Sequence, residues 1–256
     1  MRAEINAPIT EGVCEERFVS PLDSSSQTYL IAESKTAADN DPPFLVVYLH
    51  GALSHQEQGM TAGIYDNFFG RWWSWLKERN VRYVCPEYRG NSWMGPAAEA
   101  DIVELIRLMR ERYRPIQVIL TGGSMGGTSA LIFASRHPEL LDGALALCPA
   151  TDTSEMFPHF ADHFLQSYGG PPDKIPDVYR ERSSRYHADM LVKLPLVIVH
   201  GSADALIPIH HARLLVEQLQ ARNARLQYIE LKDGGHDSPV KVDLRECMEF
   251  LLNARK

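Results

Sequence analysis

The sequence predicts an α/β chain with a mostly parallel central sheet and helices on both faces. Three observations lead there. Runs such as Phe44-Leu45-Val46-Val47-Tyr48-Leu49 are apolar without interruption, as strands buried on both faces must be. Segments of helical length and pattern alternate with those runs. The length, 256 residues, suits one α/β domain and is too short for two of full size.

Taken in order, residues 13–18 and 27–32 carry β-formers around a polar Pro21-Leu22-Asp23-Ser24-Ser25-Ser26 stretch and predict an antiparallel hairpin. A polar linker over 37–43 ends in Pro42-Pro43. Strands are then predicted at 44–49, 81–85, 117–121, 143–147, 196–200 and 226–231, and helices at about 64–79, 96–113, 125–136, 209–222 and 240–253. In the second of these helices Ile102, Leu105, Ile106 and Met109 fall at i, i+3, i+4 and i+7, the spacing of one buried face. Residues 151–190 break the alternation. They are too long for an ordinary connection and hold Met156, Phe157, Phe160, Phe164 and Tyr168 before Gly169-Gly170-Pro171-Pro172. A small helical insertion is expected there, lying as a cap over the carboxyl edge of the sheet.

Composition narrows the function classes. Hydrophobic residues make up 45% and charged residues 23%, enough for a core that needs no staples. The net charge of −7 argues against nucleic acid, which is bound by clustered Lys and Arg. Cys14, Cys85, Cys148 and Cys247 are far apart and show no metal-ligand spacing, so free and mostly buried thiols are expected. With no apolar leader at Met1-Arg2-Ala3-Glu4-Ile5-Asn6 and no run of membrane-spanning length, the expectation is a cytoplasmic protein with no membrane partner.

The sharpest signal is Gly122-Gly123-Ser124-Met125-Gly126, a G-x-S-x-G match that closes a strand and opens a helix. A serine on such a turn is an exposed nucleophile, and glycines two before and two after it let strand and helix approach closely. The N–H of Met125 then faces a developing oxyanion. A free hydroxyl is a weak nucleophile and needs a base. Of ten histidines, His236 sits in the loop after the last predicted strand, at the same carboxyl edge as Ser124. The acid is expected between them in chain order, and Asp204 follows the strand before. Asp233 and Asp237 flank His236 too closely to be the obvious orienting partner. The second oxyanion donor is expected after the first long parallel strand, at the N–H of Ala52, with Leu53 as the alternative. His50 is read as a residue that holds this loop. Trp93, Phe157 and Phe160 are candidate substrate-binding residues. Arg89 could bind a substrate carboxylate or join a structural ion pair. The three tryptophans Trp72, Trp73 and Trp75 are read as core packing. His210-His211 has no metal partner at ligand spacing, so no metal is expected.

Together, His50-Gly51-Ala52, the serine turn, His200-Gly201-Ser202-Ala203-Asp204 and Gly235-His236 resemble the α/β-hydrolase superfamily from about residue 12 to 253. Glu87-Tyr88-Arg89-Gly90-Asn91-Ser92-Trp93 and the Gly-Gly-Ser-Met-Gly-Gly turn are similar to the catalytic domain of prolyl-oligopeptidase-type peptidases and their esterase relatives. The resemblance implies the α/β-hydrolase fold, the Ser…Asp…His order and hydrolysis of an acyl bond, and the two-step reaction read from these residues needs no cofactor. These residues leave no room for the β-propeller that gates the large peptidases. The expected activity is therefore a carboxylesterase on small or medium esters through an acyl-enzyme on Ser124. The alternatives are a peptidase or amidase, or an acyltransferase.

Overall fold

The computed structural model describes residues 12–32, 43–60, 75–76 and 78–254. Eight strands form one sheet in the order β1-β2-β4-β3-β5-β6-β7-β8. The opening hairpin is β1 (Val13–Val19) and β2 (Ser26–Ala32). β2 runs antiparallel to β4 (Val81–Pro86), and every pairing beyond it is parallel. Those strands are β3 (Phe44–Leu49), β5 (Gln117–Gly123), β6 (Gly143–Leu147), β7 (Leu196–Gly201) and β8 (Leu226–Leu231). Each expected strand is present, with ends differing by a residue or two. This mostly parallel sheet flanked by helices is the α/β-hydrolase fold.

The apolar runs are buried on both faces, as their composition demands. Leu45, Val47 and Leu49 of β3 join one core cluster, while Val46 and Tyr48 join the other. On the first face lie α1 (Pro96–Tyr113), α2 (Met125–Arg136) and α7 (His210–Gln220). α1 starts at Pro96, which lacks an N–H where none is needed, and Ile102, Leu105, Ile106 and Met109 form its buried face. Full burial of each such side chain is worth about 1.5–3 kcal/mol. The helix expected over 240–253 is two: α8 (Ser238–Lys241) and α9 (Arg245–Leu252). Val242 between them is extended, and the Asp243 carboxylate accepts the Arg245 N–H at 3.0 Å, restarting the helix. α9 covers the second face through Cys247, Met248 and Leu251.

The excursion after β6 folds into four short helices, α3 (Thr153–Met156), α4 (Ala161–Tyr168), α5 (Pro176–Glu181) and α6 (Ala188–Leu191). Most of the helix expected at 64–79, with Trp72 and Trp73, lies outside the described residues. Trp75 is half-buried, and the Arg79 guanidinium lies 4.0 Å from its ring centre. Among the described residues no helix is long and apolar enough to cross a membrane.

Candidate active site

Strand order decides where a site can form. From β3 the chain moves outward to β4, then returns to pair β5 on the other side of β3. Loops leaving the carboxyl ends of β3 and β5 therefore diverge, and the crevice between them is open to a ligand. The sequence puts Gly51-Ala52 in one loop and Ser124 in the other.

Ser124 stands between β5 and α2 at φ 57° and ψ −121°, a strained conformation for a residue with a side chain. Its surroundings hold it there. Its N–H donates to Leu147 O at 2.9 Å, and its carbonyl accepts the Thr128 N–H at 2.9 Å and the Thr128 hydroxyl at 3.0 Å. A Cβ at Gly122 would meet Leu49 O at 2.5 Å, and one at Gly126 would meet it at 2.0 Å, so β3, the turn and α2 can meet only as glycines.

The histidine and aspartate arrive on two loops laced together through their backbones. Ser202 N–H donates to Leu231 O and Ala203 N–H to Gly234 O, both at 2.9 Å. This brings His236 Nε2 to 2.9 Å from Ser124 Oγ and His236 Nδ1 to 2.7 Å from Asp204 Oδ2. The other oxygen, Oδ1, accepts the N–H groups of Leu206 and Ile207, each at 2.9 Å. Burial would raise the Asp204 pKa, but hydrogen bonds from His200, His236 and Ile207 N–H prevail and hold it well below the usual carboxylate range. Burial works against charge on His236 as well. Hydrogen bonds with Asp204 and the Cys148 sulfur prevail there, so its pKa lies above that of a free imidazole. A buried, ionised carboxylate thus holds the Nδ1 proton and turns the Nε2 lone pair toward the serine hydroxyl.

Facing Ser124 across the crevice, the loop after β3 is clamped by three side chains. Gly51 N–H donates to Gln58 Oε1 at 2.6 Å, and Leu53 N–H donates to Asn91 Oδ1 at 2.6 Å. The buried His50 ring lies between two carbonyls, its Nδ1 2.8 Å from Gly51 O and its Nε2 2.9 Å from Glu87 O. Burial lowers the His50 pKa. Leu53 N–H is taken, whereas Ala52 N–H has no acceptor among the described residues. The Gly51–Ala52 peptide is trans, so with Gly51 C=O turned toward His50 the Ala52 N–H points the opposite way. Met125 N–H opens α2 and has no acceptor within its helix. Gln58 and Asn91 were not anticipated from sequence. Gln58 comes from a short 3-10 helix, Gln56–Gly59, and Asn91 from the turn after β4, and only the fold reveals that they meet this loop.

The aromatic residues divide in two. Trp93 is 0% exposed and lies within 4.9 and 5.1 Å of the Phe160 and Phe164 ring centres, so its indole is covered rather than open to a cavity. Met156, Phe164 and Tyr168 are buried, with the Tyr168 hydroxyl donating to Trp93 O at 2.8 Å. Phe157 and Phe160 keep part of their surface open. Arg89 is taken up by ion pairs with Asp23 and Asp101. The adjacent histidines do acquire a carboxylate that sequence spacing could not reveal. Glu155 Oε2 lies 2.7 Å from His210 Nε2 and 3.7 Å from His211 Nε2. Thr151 N–H also donates to His211 Nδ1 at 3.3 Å, which leaves the neutral ring's proton on Nε2, facing Glu155 rather than offering a lone pair.

The model of the prolyl oligopeptidase family matches residues 68–254. The protein YfhR of Escherichia coli (strain K12) is 28% identical over 199 residues, covering 71% of this chain and 64% of YfhR. Dipeptidyl aminopeptidase BIII of Pseudoxanthomonas mexicana is 23% identical over 238 residues, covering 82% of this chain and 33% of that protein. The chain thus spans less than two thirds of the length of either relative. Among solved structures, an S-formylglutathione hydrolase from Agrobacterium tumefaciens superposes with a TM-score of 0.73 at 16% identity, over 98% of both chains. The matched fold, and a family model spanning most of the sequence, lead to one conclusion: the chain belongs to the prolyl oligopeptidase family of α/β-hydrolases.

Proposed function

We propose that the protein is a carboxylesterase that cleaves small or medium carboxylic esters through an acyl-enzyme on Ser124. The observation that carries this reading is the continuous relay from Asp204 through His236 to Ser124, with contacts of 2.7 and 2.9 Å. In the proposed reaction, His236 Nε2 takes the hydroxyl proton as Ser124 Oγ attacks the ester carbonyl. The carbonyl oxygen gains charge and is held by the N–H groups of Ala52 and Met125. Asp204 keeps the imidazole in the required tautomer and balances the imidazolium. The alcohol leaves with the proton from His236, and water repeats the attack to release the acid. No cofactor or metal enters these steps. Phe157 and Phe160, half-open, supply apolar wall for the acyl or alcohol part. The buried thiols of Cys85, Cys148 and Cys247 agree with a reducing, cytoplasmic setting.

Ester preference is favoured because an alkoxide leaves with less help from protonation than an amine does, so the relay described is sufficient for it. The second reading, a peptidase or amidase, is favoured by the family itself and by the likeness to a dipeptidyl aminopeptidase. Matched p-nitrophenyl esters and p-nitroanilides separate the two. The ester reading expects kcat/KM at least about 100-fold higher on the ester after correction for uncatalysed reactivity. Comparable corrected rates on the anilide would replace it with the second.

A further inference from the structure

The mechanism above makes no use of Cys148, yet the fold places this thiol against the relay. Cys148 directly follows β6, at φ 41°, in the left-handed region that residues with a side chain rarely adopt. Its N–H is held by Val199 O at 2.8 Å, and the residue is 2% exposed. The sulfur of Cys148, a ring nitrogen of His236 and a carboxylate oxygen of Asp204 all lie within 4.8 Å of one another. They come from the ends of three neighbouring strands, so no sequence spacing announces the cluster. A cavity of about 10 Å³ borders it, lined among others by Gln58, Ser124, Cys148 and His236, with room for about one water.

We propose that Cys148, Asp204 and His236 form an inhibitory site for a thiophilic divalent cation of the Zn²⁺ type. Thiolate, imidazole, carboxylate and one water make a four-coordinate zinc set. Ligand atoms around a tetrahedral zinc lie about 3.3–3.6 Å apart, given metal–ligand bonds of about 2.0–2.3 Å. Atoms within 4.8 Å of one another therefore have to adjust by about 1.5 Å at most. The Asp204–His236 pair, now 2.7 Å apart, must spread. The ion enters on the Nδ1 side of His236, facing Asp204. The Cys148 thiol proton leaves to solvent, and the ring proton moves from Nδ1 to Nε2. Three metal–ligand bonds form, and the Asp204–His236 hydrogen bond breaks. The Nε2 proton then faces Ser124 Oγ, and the base is lost. The cation acts as a reversible off-switch built from two members of the relay and one neighbour. This inference shares His236 and Asp204 with the proposed mechanism but does not depend on turnover for its test.

The test is titration with Cd²⁺ and Zn²⁺ in a Cys14→Ser background, which removes the one exposed thiol. Thiolate-to-Cd²⁺ charge-transfer absorption should appear at one equivalent in the parent and in Ser124→Ala, and be absent from Cys148→Ser and Cys148→Ala. On a p-nitrophenyl ester, the Zn²⁺ concentration for half-inhibition should rise at least about tenfold in each Cys148 variant, each compared with its own metal-free rate. Mg²⁺ should have no effect on either reading. Absorption that persists without Cys148, or Zn²⁺ sensitivity equal in parent and both variants, would overturn the proposal. Because Ser124→Ala must still bind Cd²⁺, a failed esterase reading and a failed metal site give different results.

Discussion

Replacing Asp204 with asparagine tests the relay at its least ambiguous point, because the structure dictates how the new amide must sit. Asp204 Oδ1 accepts two backbone N–H groups, from Leu206 and Ile207, both at 2.9 Å. Only the amide oxygen can take that place, since an NH₂ there would face two donors. The NH₂ is therefore forced to the position of Oδ2, 2.7 Å from His236 Nδ1. It donates to Nδ1, which requires the ring proton on Nε2, pointing at Ser124 Oγ instead of accepting from it. The expected loss is about 10³ to 10⁴ in kcat, or roughly 4–5.5 kcal/mol of transition-state stabilisation. Folding should survive, because both backbone hydrogen bonds persist and only the longer His200 contact to Oδ2, at 3.3 Å, is lost besides. The assay is kcat and kcat/KM on a p-nitrophenyl ester across pH, with the melting temperature measured in parallel. His236 works only when deprotonated, so activity is present above its pKa and lost below it. In the parent this limb should lie above the ordinary imidazole value, because Asp204 raises it. In the variant the limb should fall toward or below that value. Activity within tenfold of the parent, together with a large loss in Asp237→Asn or Asp233→Asn, would refute the reasoning.

Four further outcomes are expected. Ser124→Ala should lower kcat by on the order of 10⁶ with little change in melting temperature, and a fluorophosphonate probe should label the parent but not this variant. Gln58→Leu removes the acceptor of Gly51 N–H and should lower kcat by about tenfold or more with a smaller change in KM, as a loosened oxyanion loop would; an unchanged kcat would remove Gln58 from the clamp. Phe157→Ala and Phe160→Ala should change relative kcat/KM along an acyl-chain series, at about 1–3 kcal/mol per methylene sensed; a lower melting temperature with unaltered preference would make these rings purely structural. Burial would raise the Glu99 pKa, but hydrogen bonds with His137, Arg136 and Arg182 bring it down to about 2 from 4.5. A depressed carboxylate stabilises above its unfolded pKa and loses that contribution as pH falls, so parent stability should drop by up to roughly 3 kcal/mol between pH 4.5 and 2. Glu99→Gln should flatten that window and lower the melting temperature at pH 7.

The sequence by itself determined whatever depends on neighbours along the chain. Apolar runs such as 44–49 have to be buried on both faces, so a covered, mostly parallel sheet was legible from pattern alone. The Ser124 turn was legible because glycines at Gly122 and Gly126 are needed wherever backbones meet at 2.0–2.5 Å from an absent Cβ. Asp204 and His236 could be picked out because loops at one end of parallel strands must share an edge. Only the tertiary structure decided what distant segments bring to one another. It tied Gln58 and Asn91 to the oxyanion loop, which left Ala52 rather than Leu53 with the free N–H. It covered Trp93 with Phe160 and Phe164, gave His210 a carboxylate in Glu155, and set Cys148 against His236. The physical reason is that these contacts depend on strand order and loop path, which follow from packing the whole chain at once, whereas periodicity and turn chemistry are properties of a few consecutive residues.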